Sequence, residues 1–201
     1  SGMSQQQPTG AVLGRGAMGH AFATNLIKKG LTKRVWNRTA SRGDDLVKAG
    51  ATRGQTPRET AEGADVVITM LSDGKNSLDV YQGDNGLLAG LKQGGIIAQM
   101  GTLGAEATES LIAVINAQRP DVVLFDAPVS GTKAPAEQAQ IVVLASGDRE
   151  AGAAIEPVFN AISKATKWLG EAGRASKMKL VVNAWLIAMM EGIAESTQLA
   201  E

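Results

Sequence analysis

The sequence predicts an α/β fold, a Rossmann-type, mostly parallel sheet with helices on both faces. Three observations carry that prediction. Short apolar runs alternate along the chain with segments of helical period. A G-x-G-x-x-G, running from Gly14 to Gly19, stands between the first apolar run and the first helical segment. The segment Asp65-Val66-Val67-Ile68-Thr69-Met70-Leu71 is apolar almost throughout, as a parallel strand covered on both faces must be.

Taken in order, Gly10 to Leu13 reads as the first strand. Ala17 to Lys29 follows as a helix, with Met18, Ala21, Phe22, Asn25 and Leu26 at helical spacing and a stop at Gly30. Arg34 to Trp36 is the second strand. Residues 65–71 read as a buried parallel strand, and Ile96 to Met100, Val122 to Phe125 and Ile141 to Ala145 are further strand candidates. The segments around 57–63, 75–82, 106–118 and 149–162 are helical, so strands and helices alternate as parallel crossovers require.

From Arg174 the pattern changes. No Pro follows, and no Gly precedes Gly192. Leu180 to Met190 is apolar all round except for Asn183, the mark of a helix buried on most sides. That pattern continues to Glu201 without a stop signal, which predicts the first long helix of an all-α second domain, truncated here. The expected division is residues 1–8 as a tag remnant and disordered N-terminus, 9–172 as the nucleotide-binding domain, and 173–201 as the long inter-domain helix. A homodimer formed through that helix would cover its apolar surface.

Composition narrows the function classes. The chain has 201 residues, of which 44 % are hydrophobic and 20 % charged, the balance of a folded protein. Lys+Arg and Asp+Glu both number 20, leaving no basic excess with which to neutralise nucleic-acid phosphates. Cysteine is absent, which excludes disulfides, thiolate zinc sites and a cysteine nucleophile. The single histidine, His20, cannot form a multi-histidine metal site, so no metal is expected. Leu180 to Met190 is too short to span a bilayer, and no secretory signal opens the chain; no membrane partner and a cytoplasmic location are expected.

The glycine loop carries the first chemistry. Gly14 would allow a tight turn, Gly16 a close backbone approach to a pyrophosphate, and Gly19 close packing of helix on strand. Arg15, Ala17 and Met18 complete the loop at the helix start, where free N–H groups and the positive dipole end favour phosphate. A carboxylate about 20 residues further on would accept the ribose 2′-OH of NAD. This chain has Asn37-Arg38-Thr39 instead. Arg38 can pair with a 2′-phosphate while Asn37 and Thr39 add neutral donors, so NADP(H) is the predicted cofactor.

These segments together resemble the β-hydroxyacid dehydrogenase family (3-hydroxyisobutyrate dehydrogenase-like), NAD(P) enzymes that interconvert a hydroxy acid and its aldehyde or keto acid. The matching stretches are VLGRGAMG, VWNRT, ADVVITMLSD, DAPVSG and a late lysine–asparagine helix, in the family's order and nearly end to end. PVSGTKAPAE, VVLASGD and SKMKLVVN are most similar to the glyoxylate/succinic semialdehyde reductase subgroup.

The resemblance implies site residues. Ser130, Gly131 and Thr132 fall on the segment that holds a small-molecule carboxylate substrate. Lys179 falls on the catalytic lysine, with Lys177 as its local competitor. Asn183, four residues on, shares the Lys179 helix face and would hold the lysine or the substrate. Thr102 falls near the nicotinamide ribose, and Met70 and Leu71 at the sheet edge where the cofactor lies. Two departures stand out: Gly101 replaces the usual serine before Thr102, and Thr132 replaces a second glycine. His20 is expected to pack or cap rather than to catalyse, Asp73 to cap or close a loop, and Asp44 and Asp45 to be solvated helix positions. The leading function is reduction of a small aldehyde or keto acid. An imine reductase-like enzyme and a noncatalytic dinucleotide-binding module are the alternatives, and Lys179 argues against both.

Overall fold

The computed structural model describes residues 7–14, 16–39, 43–71 and 74–175, together with Met178 and Met189. The chain opens with β1 (Gly10–Gly14), α1 (Gly16–Lys28) and β2 (Thr32–Trp36). There follow α2 (Asp44–Lys48), β3 (Thr52–Arg53), α3 (Pro57–Ala61), β4 (Val66–Met70), α4 (Gly74–Tyr81) and α5 (Leu87–Gly90). Next come β5 (Ile96–Gln99), α6 (Ala105–Gln118) and β6 (Val123–Asp126). The described part ends with β7 (Val129–Ser130), α7 (Lys133–Glu137), β8 (Ile141–Ala145), α8 (Ile155–Ile162) and β9 (Ser163–Trp168).

Six strands form one parallel sheet in the order β3-β2-β1-β4-β5-β6. This is the Rossmann order, and the direction of winding reverses between β1 and β4. The strands' two-residue period divides the interior in two. Val12, Ile68 and Ala98 face a core shared with Phe22 and Leu26 of α1 and with Val158 and Phe159 of α8. Leu13, Val67 and Ile97 face the opposite core, against Leu87 and Leu88 of α5 and Leu111 and Ile115 of α6. With helices on both sides, neither face can be polar, which is why these strands read as continuous apolar runs.

Local signals set the element ends. After α1, Leu31 N–H donates to the Leu26 carbonyl and Gly30 N–H to the Ile27 carbonyl, both at 2.9 Å. Gly30 has φ 70°, so the helix closes in a Schellman turn at the glycine expected from the sequence. At the start of α3 the Thr56 hydroxyl accepts from Glu59 N–H at 3.1 Å, with Pro57 in the first turn.

Two expectations need correction. Ile141–Ala145 is a strand, as expected, but there is a second sheet beside the main one: β7, β8 and β9 form a separate three-stranded sheet in which β7 is antiparallel to β8. Ala127 N–H still donates to the Gln99 carbonyl at 2.8 Å, but Pro128 after it has no N–H to give and only accepts from Leu144 N–H at 2.8 Å. The antiparallel run with β8 starts at reciprocal backbone bonds between Asp126 and Ser146 of 3.0 and 2.8 Å. The helix expected around 149–162 begins only at Ile155, after turns through residues 149–154. Strand β9 was not anticipated: Lys164 and Lys167 break its apolar pattern, and only its packed side is recognisable. Most of the expected long helix 173–201, and Asp73, lie outside the described residues. Among the described residues no helix is long and apolar enough to cross a membrane.

Candidate functional site

The carboxyl ends of β1 and β2, with the start of α1, enclose a cavity of about 390 Å³. Gly14, Gly16, Ala17, Gly19 and Asn37 all line it, so the glycine loop and the end of the second strand come together as expected. Arg38 and Thr39 follow Asn37 directly and are exposed. Arg15 lies outside the described residues.

The glycines divide their work differently from expectation. Gly14 pairs with Met70 across the parallel β1–β4 ladder, and a Cβ on Gly14 would come within 2.5 Å of the Met70 Cβ. Close packing therefore falls on Gly14. Gly16 has φ 74°, which makes it the residue of the turn, and nothing lies within 4 Å of where its Cβ would be. A Cβ on Gly19 would stand 3.5 Å from the Met70 Cβ, an ordinary contact, so Gly19 is not the tight spot.

These features fit a dinucleotide. The open space over Gly16 leaves the first N–H groups of α1 accessible to an anion. The first turn of α1 carries no acidic side chain that would repel it.

His20 is not a packing residue. It is exposed, lines the cavity, and its Nε2 lies 2.5 Å from Asp45 Oδ2. That hydrogen bond holds the Asp45 carboxyl below its ordinary range. Asp44 pairs with Arg53 at 2.5 Å, so both carboxylates are exposed helix positions, as expected, but each has a side-chain partner. Lys133 and Glu137 of α7 also line the cavity, which the sequence did not suggest. They reach it because α7 packs on α1, held by the buried Asn25 amide donating to the Ala136 carbonyl at 2.9 Å.

The predicted substrate segment leads into that helix. Ser130 ends β7 and is exposed, as are Gly131 and Thr132. Gly131 has φ 141°, and a Cβ there would come within 2.6 Å of Ile141 Cγ2. Only glycine meets both conditions. Thr132 precedes α7 in an extended conformation without capping it through its side chain.

Met70 is partly buried against the α1-side core, and Leu71 is buried in the other. Thr102 is exposed in the loop after β5. The departure at Gly101 has a steric reason: a Cβ there would stand 2.7 Å from the Leu71 backbone nitrogen and carbon. A serine at this place would force the β4 and β5 ends apart. Lys179 and Asn183 lie outside the described residues. One link toward that region is described: Ser146 Oγ donates to the Asp126 carbonyl at 3.2 Å and accepts from Ala175 N–H at 3.1 Å. Among the described residues no group of acidic or histidine side chains could hold a metal ion.

The family model for the NAD binding domain of 6-phosphogluconate dehydrogenase matches residues 9–170. Glyoxylate/succinic semialdehyde reductase 1 of Arabidopsis thaliana is 36% identical over 94% of this chain and 65% of its own length. The chain belongs to the β-hydroxyacid dehydrogenase family. The human cytokine-like nuclear factor N-PAC is also 36% identical over 94% of the chain, but the match covers only 34% of N-PAC. Among solved structures, 3-hydroxyisobutyrate dehydrogenase of Mycobacterium tuberculosis with L-serine superposes at a TM-score of 0.88 with 26% identity, over 98% of this chain and 66% of that one. A reductive aminase from Aspergillus terreus in complex with NADPH and ethyl-5-oxohexanoate gives 0.77 and 26% over 98% and 67%. This member of the family thus spans about two thirds of the reductase it matches and carries a nicotinamide-dinucleotide-binding domain.

Three buried polar side chains share one signal that the sequence reading left unused. Gln99, Thr69 and Asn25 are polar side chains inside otherwise apolar periodic segments, and each is buried with its partners on another element. Polar groups in such places persist only when paired, so their presence in a core pattern is itself a pointer.

Proposed function

We propose that this chain is the nucleotide-binding part of an NADP(H)-dependent reductase that converts a small aldehyde or keto acid, such as glyoxylate or succinic semialdehyde, to the hydroxy acid. The observation that carries the reading is the cavity in which Gly16, Ala17 and Asn37 meet at the open start of α1, with Arg38 next in the chain. The absence of a carboxylate at Asn37-Arg38-Thr39 favours a 2′-phosphate.

Each chain residue has a part. The glycine loop binds phosphate through backbone N–H groups, and Arg38 pairs with the 2′-phosphate. NADP(H), when bound, supplies or accepts the hydride. Ser130 and its neighbouring N–H groups hold the substrate carboxylate, and the rigid Gly131 sets where they point. Lys179 donates a proton to the substrate's carbonyl oxygen in reduction and recovers it in oxidation. Asn183 keeps that ammonium in line. The apolar sequence around them suits pairing of two copies through the same helix.

The test is consumption of NADPH by the chain with glyoxylate and with succinic semialdehyde, beside NADH. Faster turnover with NADPH on either acid supports the reading; an enzyme that binds NADPH but reduces neither acid contradicts the substrate class. The likeness to a reductive aminase gives a second reading, imine reduction. Reduction of a ketone only when an amine is added would favour it.

A further inference from the structure

At the carboxyl edge of the sheet, a buried polar cluster joins the ends of β4 and β5, and no step above uses it. Thr69, Tyr81 and Gln99 are 0 %, 0 % and 1 % exposed. The Gln99 Nε2 donates to the Leu71 carbonyl at 3.1 Å and to the Gly101 carbonyl at 2.8 Å. Its Oε1 accepts from Thr69 Oγ1 at 2.7 Å. Because the Thr69 hydrogen is committed to Gln99, the Tyr81 hydroxyl must donate to Thr69, at 2.7 Å. Burial raises the Tyr81 phenol above its ordinary value, so it stays a donor. Two carbonyls on one side and a hydroxyl on the other leave the carboxamide a single orientation.

The carbonyls it spans are not in one segment. Leu71 follows β4, and Gly101 opens the loop that carries Thr102. The missing Cβ of Gly101 lets the two backbones touch, and the carboxamide then locks them at that separation. In this strand order the β1–β3 half takes the adenosine side of a dinucleotide and the β4–β6 half takes the other nucleotide. The locked pair of loops lies in the second half.

We propose that Gln99 is a positioning residue for the nicotinamide half of the cofactor, fixing the Leu71 and Gly101–Thr102 loops against which that half binds. This rests on the dinucleotide reading above. Its signature is a split between the cofactor's halves. A local loss at the β4 and β5 ends weakens NADPH while sparing 2′-phospho-ADP-ribose, which lacks the nicotinamide.

The experiment measures affinity of the chain for both molecules by calorimetric titration, with melting temperature as a folding check. Gln99→Met removes every bond at similar volume. Gln99→Glu keeps an acceptor for Thr69 but turns oxygen toward two carbonyls, and serves if the first variant does not fold. The expected result is about tenfold weaker NADPH binding with 2′-phospho-ADP-ribose within about twofold of wild type. Tyr81→Phe leaves both bonds from Gln99 to the loops in place and retains most of the NADPH affinity. Equal losses for both molecules, no loss for either, or failure of both Gln99 variants to fold would overturn the assignment. A wild-type chain that binds neither molecule would overturn the dinucleotide reading itself, a failure visible before any variant is made.

Discussion

Replacing Lys179 by alanine is expected to lower NADPH-dependent turnover by about a hundred- to ten-thousand-fold, the range for removal of a general acid. NADPH affinity should hardly change, because the proposed function gives that binding to the glycine loop and Arg38. Lys179 stands four residues before Asn183, at the edge of an otherwise apolar segment. Neither polar group gains from such surroundings unless both face a polar cleft. Lys177→Ala is the matched control, since helical spacing would not put a residue six before Asn183 on the Asn183 face. A drop in kcat confined to Lys179→Ala supports the assignment. Equal losses in both variants, or a change in KM alone, would remove the lysine from the chemistry.

Phe125→Ala should cost about 3–5 kcal/mol of stability, the usual price of an aromatic cavity. Phe125 is fully buried at the end of β6. Its ring stands edge-on to Trp168 at 5.5 Å and to Phe159 at 6.4 Å between centroids. Gly147 and Gly152 make room for it: a Cβ at either would come within 2.7 Å or 2.5 Å of the ring. Arg149 covers the outer side of Trp168 at 4.8 Å. This packing joins the main sheet to α8 and β9, and β6 leads through Ala127 and Pro128 to the proposed substrate segment. Thermal unfolding should shift down by roughly 10 °C or more. A loss below about 1 kcal/mol would mean that the two sheets are held by other contacts.

The six-stranded sheet was largely legible because strands covered on both faces must be apolar along their length. Its short edge strand β3 was not, since two residues give no period. The small second sheet was not foreseen for a related reason. Ile141–Ala145 is apolar like a main-sheet strand, and nothing local records that its partners are β7 and β9. The glycine loop was legible as a motif but not in its division of labour. Whether Gly14 or Gly19 is the tight contact depends on Met70, fifty-odd residues away. Gly131 is a further case: its need for glycine comes from Ile141 across the β7–β8 pair as well as from its own φ. Lys133 and Glu137 reach the cavity through the docking of α7 on α1, and His20 meets Asp45 through the docking of α2, tertiary facts that no local pattern carries. Roles for Lys179, Asn183 and Arg15 rest on sequence and family resemblance.

The most direct test of the account is an equilibrium titration of the chain with NADPH and with NADH, beside Arg38→Ala. Charge-assisted bonds to a 2′-phosphate predict about ten- to a hundredfold tighter NADPH binding in the wild type. That preference should shrink in Arg38→Ala while NADH affinity stays unchanged. NADH binding as tightly as NADPH, or a preference untouched by the loss of Arg38, would contradict the assignment of the glycine-loop cavity and Arg38 as an NADP(H) site.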